Sequence, residues 1–467
     1  MHDNPRGGQI AQAVNEARGV LNAAACDFAE IRLFAGISNT ITLSGSHIES
    51  FSVGESIGGS IRVLRDSAWG FISFNDISQL RKRFSRALDI ASAAPSRERH
   101  AVANMPAGRA SFETIMARNL ETVSPAEKLE CLQSYNAILR SSQSIATTRA
   151  TYHDTAGRYA YLNSEGTEYT YDRAYCGISL SAIARDGSRI QPFSDSVSGY
   201  GGFEIAMNRE DMAERVVRTA VDLLSAESLG GGIYRVVADQ KLTGVFIHEA
   251  FGHLSEADFV FENPRLREIM VLGKKFGPDN LNVIDCGTLK DCAGYIPFDD
   301  EGVLPGETRL ISNGCLSGRL HSRETALKMG EEPTGNARAV GVTHQPIVRM
   351  TNTYIDNGDR SFDEILDAAS DGVYACGVIG GETNLEMFTF TAACGYEIKG
   401  GRIGKIYRDI VLSGNVFTTL TRILMIGDDR RMFGGLGGCG KAGQSPLPVS
   451  FGGPHILIDG VMIGGNL

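Results

Sequence analysis

No apolar run in this chain approaches the ~20 residues that a membrane-spanning helix needs, so no helical membrane span is expected. The N-terminus, Met-His-Asp-Asn-Pro-Arg-Gly-Gly-Gln, has no charged segment leading into an apolar one. A secretory leader is therefore not expected, and the sequence reads as cytoplasmic. Excess basic charge is lacking too. Lys and Arg total 45 against 55 acidic residues, a formal net charge of −10. That balance is not the basic footprint of a nucleic-acid binder. The nine cysteines include no CxxC pair and no compact framework, so a disulfide scaffold is not expected. Most of them read as small buried apolar residues. Proline is scarce, with 14 residues against 55 glycines. Such a balance indicates turns, bulges and close backbone approach rather than disorder.

What remains is an ordinary globular composition over 467 residues, 42% hydrophobic and 21% charged, long enough for two or more domains. The pattern along the chain predicts an α+β fold. Gln9 to Ala25 has helical periodicity. Strand-like segments follow at Glu30 to Phe34, Thr40 to Ser44, His47 to Val53, Gly58 to Leu64 and Ala68 to Ser73, and a helix at Ser78 to Ala93 closes the unit. The order then recurs. Ser124 and Glu127 form a capping box at the start of a helix ending at Ser141. Strands are expected at Ile145 to Asp154, Gly157 to Ser164, Gly166 to Ala174 and Cys176 to Arg185, then a helix at Arg209 to Ser225. Residues 1–228 thus read as a two-part α+β domain, with helix–meander–helix units at 1–110 and 111–228 forming two related layers.

Residues 229–467 read differently. Short β-like runs such as Ile233 to Ala238, Val283 to Cys286, Ile347 to Asn352 and Leu385 to Ala393 are punctuated by glycine. This predicts a β-rich, barrel-like domain. Its clearest helices are one near residue 248 and Phe362 to Ala369.

The chemistry concentrates in His248-Glu249-Ala250-Phe251-Gly252-His253. It follows a strand-like apolar run, Thr243 to Ile247. Two imidazoles beside a carboxylate suit a catalytic zinc site, where three protein ligands leave one position for water and the glutamate serves as its base. The common pattern spaces its histidines by four. Here the spacing is five, which on an ideal α-helix separates the side chains by roughly 140°. A π-bulge absorbs one residue and would restore a common face, with Gly252 easing the distortion or a close approach. The third ligand stays open at this point among His321, His344, His455 and several cysteines.

The segment from His248 to Asp258 resembles the signature of the TldD branch of the TldD/PmbA metallopeptidases. Asp299-Asp300-Glu301-Gly302, Pro333-Thr334-Gly335-Asn336, Met350-Thr351-Asn352-Thr353-Tyr354 and Gly438-Cys439-Gly440-Lys441-Ala442-Gly443-Gln444 fit the same family in the same order. The resemblance implies a Zn²⁺-dependent endopeptidase acting on unfolded or extended polypeptides. It implies zinc held by His248, His253 and Cys439, with Glu249 as general base and acid. Glu256 matches an acidic position of the family segment, where it would orient an imidazole or stand as an exposed helix carboxylate. Asp300 and Glu301 would line the site or cap a turn. Lys441 would bind substrate or be solvated. In the family the TldD-type subunit carries the metal and the PmbA-type subunit lacks the histidines, so a homodimer or a heterodimer with a PmbA-like paralogue is implied. Two other readings share these residues: another zinc-dependent amide hydrolase, and a non-catalytic binding subunit. The intact Glu249 speaks against the second, because a structural zinc needs no adjacent base.

Overall fold

The computed structural model describes residues 5–93, 99–384 and 386–464. The first half begins with α1 (Pro5–Asn22), β1 (Phe28–Ser44), β2 (His47–Arg65), β3 (Ala68–Phe74) and α2 (Leu80–Ala93). After β4 (Arg109–Glu113) the order repeats with α3 (Pro125–Leu139), β5 (Ile145–Asn163), β6 (Glu168–Asp186), β7 (Arg189–Tyr200) and α4 (Glu210–Ser225). The meanders do not form two layers. Among the described residues they share one seven-stranded sheet. Its seam is the antiparallel pair β1–β5, from Glu30 opposite Asn163 to Ser44 opposite Arg149.

Several strands are twice as long as the sequence pattern indicates, and β7 was not anticipated. Glycines read as strand breaks lie inside strands. Gly36 and Gly157 face each other across the seam. A Cβ on Gly157 would fall 2.5 Å from Gly36 Cα, so these glycines allow close approach rather than a turn. The predicted capping box of α3 forms only by half. Ser124 accepts from Glu127 N, but the Glu127 carboxylate pairs with Arg118 at 2.7 Å.

The helices cover one face of this sheet. Leu132 and Leu139 of α3 and Val216 and Ala220 of α4 pack on Ile178 and Leu180 of β6. Burial of each large aliphatic side chain stabilises by roughly 1.5–3 kcal/mol. The other face is aromatic and meets the second half of the chain. Tyr159, Tyr161 and Tyr169 surround Phe298 with ring centroids at 5.8, 6.4 and 5.1 Å. Arg32 pairs with Asp300 at 3.3 Å and Arg62 with Glu301 at 2.6 Å.

The second half holds a ten-stranded sheet, counted among the described residues, curled into a half-barrel. Near its middle, Gly232–Ala238 pairs antiparallel with Ile456–Gly464 and parallel with Asp371–Cys376. A smaller sheet pairs Asn352–Ile355 with Ser450–Gly453 in parallel. Phe362–Ala369 is helical as expected, with a complete Ser361–Glu364 capping box. Short helices at Ala257–Glu262, Pro264–Ile269, Arg323–Met329 and Val416–Thr421 escaped the sequence pattern, being too short for a periodic signal. The run expected from Leu385 starts outside the described residues; Met387–Thr391 is a strand.

The apolar run before His248 is a helix, not a strand. In α5 (Gln240–Ile247), Asp239 caps the N-terminus by accepting from Leu242 N at 2.7 Å. Leu242 and Phe246 are buried one turn apart, as are Thr243 and Ile247. The helix lies close on the smaller sheet. A Cβ on Gly244 would meet Gly452 N at 2.5 Å. No described helix is long and apolar enough to cross a membrane.

Candidate metal centre

α5 runs directly into a π-helical turn, His248–Gly252. Its mark is the bond from His253 N to His248 O, five residues back. The extra residue brings the second histidine over the first, with ring centroids 5.4 Å apart. Gly252 has ordinary helical φ, −57°, so conformational freedom is not its role. A Cβ there would sit 2.1 Å from Met350 Sδ. Glycine lets the turn seat against this buried methionine.

Cys439 arrives from a distant strand, Cys439–Lys441. Its Sγ lies 3.3 Å from His253 Nε2. One ligand atom from each of His248, His253 and Cys439 falls within 4.8 Å of the others. Arg349, fully buried, holds the loop by donating to Cys439 O at 2.6 Å and Gln444 O at 3.2 Å. Gly438 is needed for passage, since a Cβ would meet Leu447 O at 2.3 Å. Burial alone would raise the Cys439 thiol, but His248 and then His253 outweigh it and bring its pKa down to about 5. Burial opposes charge on His253, yet Glu256 and Cys439 hold its pKa well above the usual histidine value. Nδ1 of His248 is buried without a partner.

The remaining predicted residues separate clearly. Glu249 is partly exposed, with Oε2 3.9 Å from His253 Nε2. Glu256 is fully buried, and its Oε2 sits 3.1 Å from His253 Nδ1. It is not an exposed helix carboxylate. Lys441 follows neither expectation. Its ammonium is buried between Glu256 at 2.9 Å and Asp258 at 2.7 Å, and donates to Val348 O at 2.9 Å. Burial opposes ionisation of Glu256, but His253 and Lys441 together hold its pKa below the usual carboxylate value. The sequence pattern did not reveal Asp258 and Arg349 as parts of this network, because charge alone does not announce burial.

His321, His344 and His455 lie elsewhere. His321 is bonded to Thr325 and Glu331, His455 to Asp429 and Tyr374, and His344 to Thr343. Asp300 and Glu301 do not line the centre but anchor the first-half sheet. The turn is capped by Asp299, which accepts from Glu301 N and Val303 N at 2.9 and 2.8 Å.

Two cavities flank Glu249. One of about 310 Å³ is lined by Asp195, Ser196, Lys241, His248, Cys439 and Phe451. The other, about 910 Å³, is lined by His253, Phe259, Asn263, Gly381, Thr383 and Lys441. Glu249 borders both. The arrangement offers two imidazoles and a thiolate of lowered pKa to one cation. This donor set suits zinc. A carboxylate stands beside it, at the meeting point of two open spaces.

Three profiles match the chain: the PmbA/TldA metallopeptidase domain 1 over residues 29–91, the central domain over 118–224 and the C-terminal domain over 231–465. A metalloprotease of Synechocystis is 39% identical over 94% of this chain and 95% of its own. A protein of Saccharolobus solfataricus named zinc metalloprotease TldD homolog is 30% identical over 94% of this chain and 96% of its own. In fold, the chain is similar to TldE from Thermococcus kodakarensis. The TM-score is 0.77 at 17% identity, covering 98% of this chain and 100% of the other.

Proposed function

Because the chain belongs to the PmbA/TldA metallopeptidase family, we propose that it is a zinc-dependent endopeptidase cleaving unfolded or extended polypeptides. The observation that carries this reading is the convergence of His248, His253 and Cys439 within 4.8 Å, with Glu249 between two open cavities. Those three residues would hold the zinc. A zinc ion bound there polarises a peptide carbonyl and lowers the pKa of water toward ~7. Glu249 takes the proton of the attacking water and passes it to the leaving amine. Glu256 fixes the ring of His253 through Nδ1, leaving Nε2 free to ligate. Lys441 in turn keeps Glu256 ionised.

Peptide would enter as an added strand. Among the described residues, Gly380–Asn384 pairs only with Met387–Thr391, so its other edge is free. Gly381, Glu382 and Thr383 border the larger cavity, and Thr383 Oγ1 is buried without a partner. Main-chain pairing recognises extended backbone of many sequences and rejects folded proteins. The working unit is a dimer, with a second copy or a PmbA-like paralogue, in the cytoplasm, and the chain divides near residue 228.

The test is metal content and cleavage of denatured casein by wild-type protein and Glu249→Gln. The variant keeps zinc and loses cleavage by ~10²–10⁴-fold. Zinc-loaded wild-type protein that cleaves nothing would overturn the peptidase reading.

A further inference from the structure

The fully buried arginines among the described residues each have acceptors. Arg32 pairs with Asp300, Arg62 with Glu30 and Glu301, and Arg323 with Glu165. Arg338 donates to the carbonyls of Met350 and Pro448, and Arg349 to those of Cys439 and Gln444. Arg173 of β6 is different. Its guanidinium lies 5.3 Å over the Tyr200 ring, and its Nε is enclosed without a partner. Among the described residues it forms no ion pair and no side-chain hydrogen bond. Burial opposes its charge, but Tyr200, Tyr171 and Asp300 outweigh burial and hold its pKa above the usual arginine value, so the half-buried guanidinium keeps its charge while its N–H donors stay unengaged.

Arg173 faces a cavity of about 590 Å³ between the aromatic face of the first-half sheet and two loops of the second half, 340–343 and 436–448. Thr40, His153, Thr155, Tyr159 and Tyr175 line it with Arg173, and no carboxylate does. His153 does not compete for an anion. Its ring nitrogens are taken by Thr40 and Thr155 at 3.0 and 3.4 Å. Burial first, and Arg173 as well, lower its pKa against the opposing pull of Asp154. Asp300, whose charge acts on Arg173, is already engaged by Arg32, by the Tyr159 hydroxyl and by Ala339 N. The cavity is therefore roomy and positive, with Arg173 set in a wall that is otherwise largely apolar, including Phe34, Ile57 and Leu436.

It also adjoins the proposed catalytic cleft across one loop. Gly437 borders both this cavity and the smaller cavity beside Glu249. The wall between them is the loop that delivers Cys439.

We propose that this cavity is a carboxylate subsite of the peptide cleft, with Arg173 as the group that receives the anion. A planar guanidinium with free N–H donors matches a carboxylate in shape and charge. The carboxylate is that of an Asp or Glu side chain or of the peptide's own C-terminus. The proposal rests on the peptide-substrate reading above.

The test uses full-length, zinc-loaded Glu249→Gln protein and four fluorescent unstructured peptides. The first is neutral with a free C-terminus, and the second is its C-terminal amide. The third is the amide carrying one Glu, and the fourth the same peptide with Gln. Anisotropy titrations should show a carboxylate-bearing peptide binding ~10-fold tighter than its neutral counterpart. The first pair reports the C-terminus and the second pair the side chain. In Arg173→Gln the preference should vanish, and in Arg173→Lys part of it should return. Arg173→Gln should leave the affinity for the two neutral peptides unchanged, whereas loss of a purely structural arginine would weaken binding of all four alike. Equal binding of all four peptides, or a preference that survives Arg173→Gln, overturns the subsite and leaves the peptidase reading standing. Absence of binding by all four, together with no cleavage of casein by the wild type, overturns both.

Discussion

Oε2 of Glu256 and Nδ1 of His253 lie 3.1 Å apart, with the carboxylate fully enclosed. This contact fixes which ring nitrogen of His253 turns toward Cys439. Glu256→Gln should therefore weaken zinc binding by ~10–100-fold without removing any ligand. Competition against a fluorescent chelator reads this directly. Unchanged affinity would mean the ring is positioned by packing alone.

Lys441 pairs with two carboxylates, the buried Glu256 and the half-buried Asp258. Its removal leaves Asp258 without its ion pair and Glu256 with His253 alone. Lys441→Met should cost about 3–5 kcal/mol, read as a fall in melting temperature. The triple change that adds Glu256→Gln and Asp258→Asn should recover much of that stability. A solvated lysine would produce neither effect.

The proposed third ligand, Cys439, can be told apart from the other cysteines. Cys439→Ser should lower zinc occupancy strongly, whereas Cys286→Ser and Cys376→Ser should leave it unchanged. Metal analysis of the three purified variants decides the matter, and equal retention in all three removes Cys439 from the site.

Gly252 and Met350 should be coupled. Gly252→Ala places a methyl 2.1 Å from the Met350 sulfur and should cost about 1–3 kcal/mol. Met350→Ala opens that space, so the double variant should be more stable than the two single losses add up to. Additive losses would place the strain elsewhere in the turn.

Asp195 supplies a pH dependence. Burial alone would raise its carboxyl, but Lys241 and Arg215 hold it below the usual value. Its folded pKa is depressed, so its stabilisation is complete above the unfolded value of about 3.9. That stabilisation is lost as pH falls through the folded value. Asp195→Asn should lower stability by about 1 kcal/mol at pH 7, and the gap to wild type should close on acidification. A gap independent of pH from 7 to 3 would contradict this.

Much of the centre was legible because local spacing carries geometry. Histidines five apart admit a common face only with an inserted residue, and the π turn supplies it. Cys439 was not legible from spacing, since it lies 186 positions beyond His253 and nothing between them encodes its approach. Its assignment came from resemblance. The α+β character and the repeated helix–meander–helix order were visible in periodicity. The strand count was not. Gly36 and Gly157 look like breaks in a linear reading, and only the partner strand reveals them as points of close contact. The run from Thr243 to Ile247 was misread for the opposite reason. Five apolar residues fit either period, and Asp239 decides for the helix.

The distance along the chain between His253 and Cys439 also has a consequence in time. A ribosome makes the histidines first and the cysteine 186 residues later. Until Cys439 emerges and the half-barrel closes, the two imidazoles lack their thiolate. A protein proposed to cut unfolded chains would thus pass through its own unfolded state unarmed. Completing its fold would be what switches it on.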